Sequence, residues 1–201
     1  ALERELKKLR LDGYHLHAAR RHKSGIEGVK FDVHLEGGAC DHQHPHEPGD
    51  HAHAHERGHD HHHDGSRDYG QIRQLIEASA LSGWVKEKAV AVFHRVAAAE
   101  GKVHGLPPEQ VHFHEVGAVD SIVDIVGACI ALELLGRPQV LAAPVVEGTG
   151  WVHCAHGRFS VPTAATLEIL GARGIAVTQC EEPHELVTPT GAALLAEFVE
   201  E

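Results

Sequence analysis

The chain has 201 residues, of which 42% are hydrophobic and 23% charged, a composition typical of a soluble globular protein of one or two units. Its formal net charge of -11, with 21 histidines counted as neutral, argues against a nucleic-acid partner and favours cations. No apolar run is long enough to span a bilayer and no signal peptide is recognisable, so the sequence predicts a cytoplasmic protein without a membrane partner.

The spacing of the cysteines matches no recognisable disulfide or zinc-binding pattern. They are scattered without a CxxC pair, which argues against a zinc ribbon and against a disulfide-stapled fold. We expect small core residues or free thiols at Cys40, Cys129, Cys154 and Cys180.

The first segment, residues 1–36, is predicted to be the helix-and-strand part of an N-terminal domain. Leu2, Leu6 and Leu9 recur at helical spacing. The run "VKFDVHLE" then alternates apolar and polar residues, as a half-buried strand does, with Val29, Phe31, Val33 and Leu35 on the apolar face.

Residues 37–66 have a different composition, with no aliphatic side chain larger than alanine, and therefore predict a disordered loop. Neutral imidazole binds nickel, copper, zinc and cobalt, and the acidic residues interleaved here favour cations further. A mobile tract cannot hold one coordination geometry, so it suits metal buffering or delivery better than chemistry. The predicted ligands are His42, His44, His46, His51, His53, His55, His59, His61, His62 and His63.

Residues 67–201 are predicted to complete the domain. Two amphipathic helices, around residues 72–76 and 85–96, precede a mostly buried helix over 120–135. A strand pair follows, then a helix at 164–170, a strand at 175–179 and a terminal helix after "TPTG". The sequence thus predicts a mixed α/β fold, one compact domain with a long histidine-rich insertion.

The stretch "VHFHEVGAVDSIVDIVG", residues 111–127, carries the candidate chemistry. If "VHFHE" is extended, His112 and His114 point to one face, and Glu115 lies at the following turn. All three are metal-capable groups.

Two aspartates extend this cluster as candidate metal ligands. Asp120 can also be explained as a simple helix N-cap. Asp124 lies one turn further along the same side, flanked by aliphatic residues, and a buried carboxylate there is expensive unless it is paired or bound to a cation. The alternative for both histidines and Asp124 is a satisfied polar group of the core.

"TPTG" is a candidate phosphate site, because Thr188, Thr190 and Gly191 lie where an alanine-rich helix begins and would direct free N–H groups at an anion. Plain helix capping explains the same residues equally well. His156, in "HG", is a further candidate substrate-binding residue.

These motifs, with "VPTAAT" at 161–166, "ELVTPTGAAL" at 185–194 and "GYHLHAARRHKSGIEGVKFDV" at 13–33, closely resemble the N-terminal region of the LarC-type nickel-insertion proteins. A histidine-rich insertion is a trait of that family. The chain lacks the family's opening "DCFSGISGD"-like strand, its initiator methionine and its separate C-terminal domain, so it is expected to be a piece of a longer protein. Where the family tends to read "PVPAPAT", this chain has Ser160, Thr163 and Ala164, so a rigid proline-based loop is not expected.

The resemblance implies a cyclometallase of the lyase or chelatase type. Such an enzyme inserts nickel into a pyridinium-3,5-bisthiocarboxylic acid mononucleotide, forming one carbon–nickel and two sulfur–nickel bonds. The ring proton that is lost needs a base near the metal, and the resemblance makes His112, His114 and Glu115 the candidates. CTP, with Mn²⁺ or Mg²⁺, is hydrolysed in support and is expected to bind mainly through the missing C-terminal domain. A homo-oligomer and a downstream nickel-pincer enzyme are further partners that the resemblance allows.

Two other functions remain open from the sequence. The chain is alternatively a non-catalytic nickel chaperone or store that acts through its histidine tract. A weaker alternative is a metal-dependent hydrolase that uses the cluster from His112 to Asp124.

Overall fold

The computed structural model describes residues 1–35, 67–113, 116–154 and 157–200. Helices and strands alternate irregularly along these residues, which confirms the predicted mixed fold class. The strands are β1 (Tyr14–Lys23), β2 (Ile26–Leu35), β3 (Val145–Glu147), β4 (Trp151–Cys154), β5 (Gly157–Ser160) and β6 (Val177–Gln179). The helices are α1 (Leu2–Leu6), α2 (Tyr69–Ala78), α3 (Gly83–His104), α4 (Val119–Leu134), α5 (Ala164–Ala172) and α6 (Pro189–Phe198).

The chain opens with α1, and a long hairpin follows. Strands β1 and β2 pair antiparallel over ten residues each, with Lys23 opposite Ile26. Ser24 and Gly25 both have positive φ, 50° and 77°, the conformation that a two-residue hairpin turn requires. This turn fixes the register of the whole hairpin, so residues whose numbers sum to 49 lie opposite one another.

One end of the hairpin is anchored and the other is not. Leu16 and Val33 pack against the core, but Val29 is 73% exposed and Phe31 is 42% exposed. Leu35, at the anchored end, is also 44% exposed, so the predicted half-buried face of β2 is confirmed only at Val33. The alternating pattern predicts which residues share a face of the strand. It does not predict that the hairpin extends beyond the hydrophobic core, which leaves part of that face exposed.

Helix α3 is the centre of the fold and contacts α2, α4, α5 and α6. Its inward residues Val92, Phe93 and Val96 are fully buried. Ser82 begins the helix by accepting a hydrogen bond from the Val85 N–H at 3.2 Å. The predicted periodicity of this helix is confirmed, and the described parts of the chain share one hydrophobic core.

A buried ion-pair cluster joins α3 to α6. The Glu197 side chain, only 9% exposed, accepts Lys88 Nζ at 2.8 Å and Arg95 Nη2 at 2.7 Å. Both carboxylate oxygens are thus paired with cations, which is the arrangement in which a nearly buried charge is tolerated. The pairing fixes the axial position of α6 against α3.

The remaining strands form two small sheets. Strand β3 pairs parallel with β6, and β4 pairs antiparallel with β5. The predicted strand pair near residues 140–160 is confirmed as the β4–β5 hairpin. The terminal helix begins inside "TPTG" at Pro189, whereas the sequence predicted a start after it.

The predicted histidine-rich loop, residues 37–66, lies outside the described residues, and the division of the chain at its ends stays a prediction. No helix in the described parts combines the length and the apolar character that crossing a membrane would require.

Candidate functional site

A cavity of about 380 Å³ lies where the N-terminal ends of three helices meet the end of α3. Helix α4 contributes Ser121 and Asp124, α5 begins at the wall with Thr163, and α6 contributes Thr188 and Thr190. Helix N-termini carry a partial positive charge and N–H groups without helical partners, so the wall formed by the starts of α5 and α6 favours an anion. The volume is within the range of small-molecule sites.

The same cavity also carries groups that suit a cation. His112 and Asp124 both line it, together with His104, Glu100 and Glu185. The thiol of Cys154, which is not in a disulfide, lines it as well. One cavity therefore offers imidazole, carboxylate and thiol donors together with an anion-favouring wall.

His112 is presented by a short extended segment. Its neighbours Val111 and Phe113 are 2% and 3% exposed, whereas His112 itself is exposed and forms a β-bridge with Asp68. The alternation confirms the predicted extended backbone at this residue. His114 and Glu115 lie outside the described residues, so their predicted convergence with His112 stays a prediction.

Asp124 differs from expectation in one respect. It was predicted to be buried, but its side chain is exposed and lines the cavity. Its neighbours Val123 and Ile125 are fully buried. The reason is helical geometry, since neighbours in sequence point to different sides and Asp124 lies on the one narrow face of α4 that the core leaves open.

The environment of Asp124 still disfavours its charged form. Partial desolvation by the cavity walls, and then the negative charge of Asp120 one turn away, hold the pKa of the Asp124 carboxyl above its usual value. A cation in the cavity would oppose both effects. A raised pKa also makes this carboxylate a better proton acceptor than an ordinary aspartate.

Asp120 is not the N-cap of α4. That position is occupied by Ala118, which makes no side-chain cap. Asp120 lies in the first turn, where its Oδ1 accepts the Ser121 N–H at 2.8 Å. The N-cap explanation is therefore wrong, and the metal-ligand role of Asp120 stays a prediction.

The "TPTG" segment combines capping with exposure to the cavity. Thr188 is the N-cap of α6, and its Oγ1 accepts the Gly191 N–H at 3.2 Å. Thr163 caps α5 in the same way by accepting the Thr166 N–H at 3.4 Å. Because both caps line the cavity, the capping explanation is confirmed for Thr188 and does not conflict with anion binding there.

A buried carboxylate that the sequence analysis missed holds this wall in place. Glu147, 1% exposed, accepts backbone N–H groups through Oε1 from Gly148 at 2.8 Å, Leu186 at 2.7 Å and Val187 at 3.3 Å. Its Oε2 has no hydrogen-bond partner among the residues that the structure describes. Glu147 therefore holds the segment that leads into Thr188 in place. The sequence signal for this buried role was an acidic residue within the apolar run "PVVEG".

Other groups of the cavity were also missed, namely Ser121, Cys154, Thr163 and Glu185. Ser121, Thr163 and Glu185 lie in motifs that carry the family resemblance, but their residue types are those of ordinary caps and surface groups. Nothing in the local sequence distinguishes Cys154. Of the substrate residues predicted from the sequence, His156 lies outside the described residues, as do the ten histidines of the tract. In the described ranges, His112 and Asp124 do not belong to a set of three close metal-ligand atoms.

Comparison with known proteins agrees with the predicted resemblance. The model of the family described as nickel insertion protein matches residues 1–201. This chain belongs to the nickel insertion protein family. No solved structure gives a significant match to it.

Three of the curated relatives of this nickel insertion family member carry a more specific name. The pyridinium-3,5-bisthiocarboxylic acid mononucleotide nickel insertion protein of Geobacillus kaustophilus is 46% identical over 96% of this chain and 43% of its own length. The protein of the same name from Lactiplantibacillus plantarum is 44% identical over 100% of this chain and 47% of its own length. The one from Akkermansia muciniphila is 44% identical over 97% of this chain and 44% of its own length. The chain thus spans less than half the length of these relatives.

Proposed function

We propose that the protein containing this chain inserts nickel into pyridinium-3,5-bisthiocarboxylic acid mononucleotide to complete a nickel-pincer nucleotide. The observation that carries the proposal is the cavity that His112 and Asp124 line together with the threonine-capped N-termini of α5 and α6. The names of the relatives support the same reaction.

The anion-favouring wall is proposed to bind the phosphate of the mononucleotide. Thr188, Thr190 and Gly191 lie at the start of α6, where backbone N–H groups and the helix dipole favour negative charge. Thr163 adds the start of α5 from the neighbouring side. Glu147 keeps the α6 start in place through its hydrogen bonds to Leu186 and Val187.

The imidazole and carboxylate groups of the cavity are proposed to receive nickel as a substrate of the reaction. Imidazole nitrogen and carboxylate oxygen are harder ligands than thiolate sulfur. The two softer sulfurs of the thiocarboxylates can therefore take nickel from them. His112 and Asp124 are the described candidates, with His114, Glu115 and Asp120 as further proposed ligands.

Forming the carbon–nickel bond releases the proton of the ring carbon, and a base must accept it. His112 lines the cavity, and Asp124 has a raised pKa, so each is suited to this role. His114 and Glu115 are proposed alternatives. The reaction consumes one nickel ion and leaves one carbon–nickel and two sulfur–nickel bonds.

Further proposals concern the whole protein. We assign it the lyase or chelatase type of chemistry in the cytoplasm, with CTP and Mn²⁺ or Mg²⁺ bound outside this chain. A homo-oligomer and a downstream enzyme that receives the nickel-pincer cofactor are proposed partners.

The test uses the complete protein, nickel, CTP and the bisthiocarboxylated precursor, with the product measured by mass spectrometry. His112→Ala and Asp124→Asn are expected to lower insertion by roughly tenfold or more, the scale seen when supports of a metal site are removed. His94→Ala and Glu109→Gln are matched controls, because both residues are exposed and lie outside this cavity. Normal insertion by folded His112→Ala and Asp124→Asn proteins would contradict these roles and move the site toward His156, Thr188 and Thr190.

The histidine tract favours one second candidate, a nickel store or chaperone. Replacing its ten histidines by serine separates the two functions. A nickel-inserting enzyme keeps most of its insertion activity when nickel is abundant, whereas a store loses nearly all of its nickel capacity.

A further inference from the structure

The β1–β2 hairpin carries a second group of metal-capable side chains, remote in sequence from the cavity residues. His17, Asp32 and His34 each offer one ligand atom, and these three atoms lie within 4.8 Å of one another. A single ion that touched all three would need only small side-chain movements, because metal–nitrogen and metal–oxygen bonds are about 2.0–2.2 Å long.

The hairpin register brings these three residues together. His17 lies directly opposite Asp32, and His34 is two residues further along β2 on the same face. The other face of this end of the hairpin, with Leu16 and Val33, packs against the hydrophobic core. The three ligands are therefore mounted on an anchored part of the sheet rather than on a loop.

The neighbouring ring restricts the conformation of His34. His15 lies opposite His34 and stacks on it, with ring centroids 5.1 Å apart and planes 16° apart. The His17 ring meets His34 nearly edge-on at 6.0 Å. This packing reduces the side-chain freedom that an ion would otherwise have to restrict.

One contact opposes metal binding. Lys30 Nζ lies 2.8 Å from Asp32 Oδ1, so an ion must share or displace this ammonium group. The Lys30 side chain is 63% exposed, and ion pairs between exposed side chains contribute little to stability. Displacement of Lys30 is therefore a small penalty compared with binding a divalent ion.

We propose that His17, Asp32 and His34 form a binding site for a divalent first-row transition ion such as nickel, cobalt or zinc. Two imidazoles and one carboxylate suit these ions and disfavour magnesium and calcium, which prefer oxygen ligands. Three protein ligands leave coordination positions open to water, so the ion exchanges readily. Metal binding here does not depend on the proposed insertion reaction.

The experiment uses the full chain with the ten tract histidines replaced by serine, so that the tract does not compete. Ni²⁺ alone is titrated by calorimetry, and the same titration with Mg²⁺ tests selectivity. His17→Ala, Asp32→Ala and His34→Ala are each expected to weaken binding at the hairpin by roughly tenfold or more. His22→Ala is the matched control, since His22 is on the same strand, is 68% exposed and pairs only with Glu27 in the described residues, at 3.5 Å.

A second measurement locates the ion independently of the substitutions. Paramagnetic Co²⁺ is expected to broaden the amide signals of residues 15–17 and 32–34 in the unsubstituted hairpin, and not in the His17→Ala protein. Equal Ni²⁺ affinity of His17→Ala, His34→Ala and His22→Ala proteins would overturn the proposal. Broadening confined to other residues would overturn it as well. Because only metal is added, failure of nickel insertion in the Asp124→Asn protein leaves this result unaffected.

Discussion

Glu147 is the residue whose removal should most clearly separate the support of the cavity from its chemistry. Glu147→Ala takes away the acceptor of three backbone N–H groups at once. Two of these, on Gly148 and Val187, belong to buried residues, whereas Leu186 is exposed and can turn to water.

The magnitude follows from those two buried groups. Each unsatisfied buried N–H is worth about 1–3 kcal/mol, giving at most about 6 kcal/mol. Removing a buried carboxylate recovers part of this, and water can enter the vacated space, so we expect a net loss of roughly 2–4 kcal/mol. For a chain of this size the melting temperature should fall by roughly 4–16 °C.

Urea unfolding followed by circular dichroism measures the free-energy change, and amide hydrogen exchange shows where it arises. Exchange should rise first at Leu186 and Val187, because the segment leading into α6 loses its anchor. Glu182→Ala is the matched control on the same segment, since its side chain is 52% exposed and its loss should change stability by less than about 0.5 kcal/mol. If Glu147→Ala is as stable as Glu182→Ala, the reasoning that this carboxylate holds the cavity wall is wrong.

Two further predictions concern residues of the cavity itself. Because the pKa of Asp124 is raised in the folded state, its ionisation disfavours folding, and this penalty is absent below the usual value of 3.8 and present in full above the folded-state pKa. Asp124→Asn should therefore be more stable than the unsubstituted chain near about pH 7, and this difference in stability should disappear as the pH falls toward about 4. Urea unfolding at both pH values measures the difference. A less stable Asp124→Asn protein at neutral pH would contradict the prediction. Thr188→Ala should lose about 0.5–2 kcal/mol of stability, because the Gly191 N–H loses its cap, whereas Thr190→Ala, one residue inside the helix start, should change little. Thermal unfolding of the two proteins compares them, and equal stabilities would show that the cap does not support α6.

The helices were largely predictable from the sequence because their signals are local. Apolar residues at helical spacing place both ends of α4 within one residue of its observed bounds. For α3 they place the start within two residues, but the helix continues eight residues beyond the predicted end to His104. Helix α2 has a local start signal as well, since Asp68 Oδ1 accepts the Gln71 N–H at 2.7 Å and Gln71 Oε1 accepts the Asp68 N–H at 3.0 Å.

The hairpin site was within reach of the sequence but was missed. "HKSGIE" contains a Ser24–Gly25 pair between two alternating runs, which is typical of a two-residue turn. That turn alone implies that His17 faces Asp32, and hence that His34 lies beside them. What the sequence did not report is that one end of this hairpin is anchored on the core while the other is exposed.

The exposure of Asp124 was decided only by packing. Its aliphatic neighbours predicted a helix buried all round, but each neighbour points in its own direction, and α4 leaves one narrow face open at Ser121 and Asp124. Which face stays open depends on where α1, α3 and α6 lie against the helix, and no local pattern encodes that arrangement.

The sequence by itself determined which chemical groups are available, in the imidazoles and carboxylates of residues 111–127 and the threonines of "TPTG". The tertiary structure decided that His112, Asp124 and Thr188 border one cavity although more than sixty residues separate the last two. The physical reason is that local signals arise from backbone sterics and hydrogen bonds between near neighbours. A cavity arises from helix packing, here α5 and α6 against α3, which depends on the shape of the whole core.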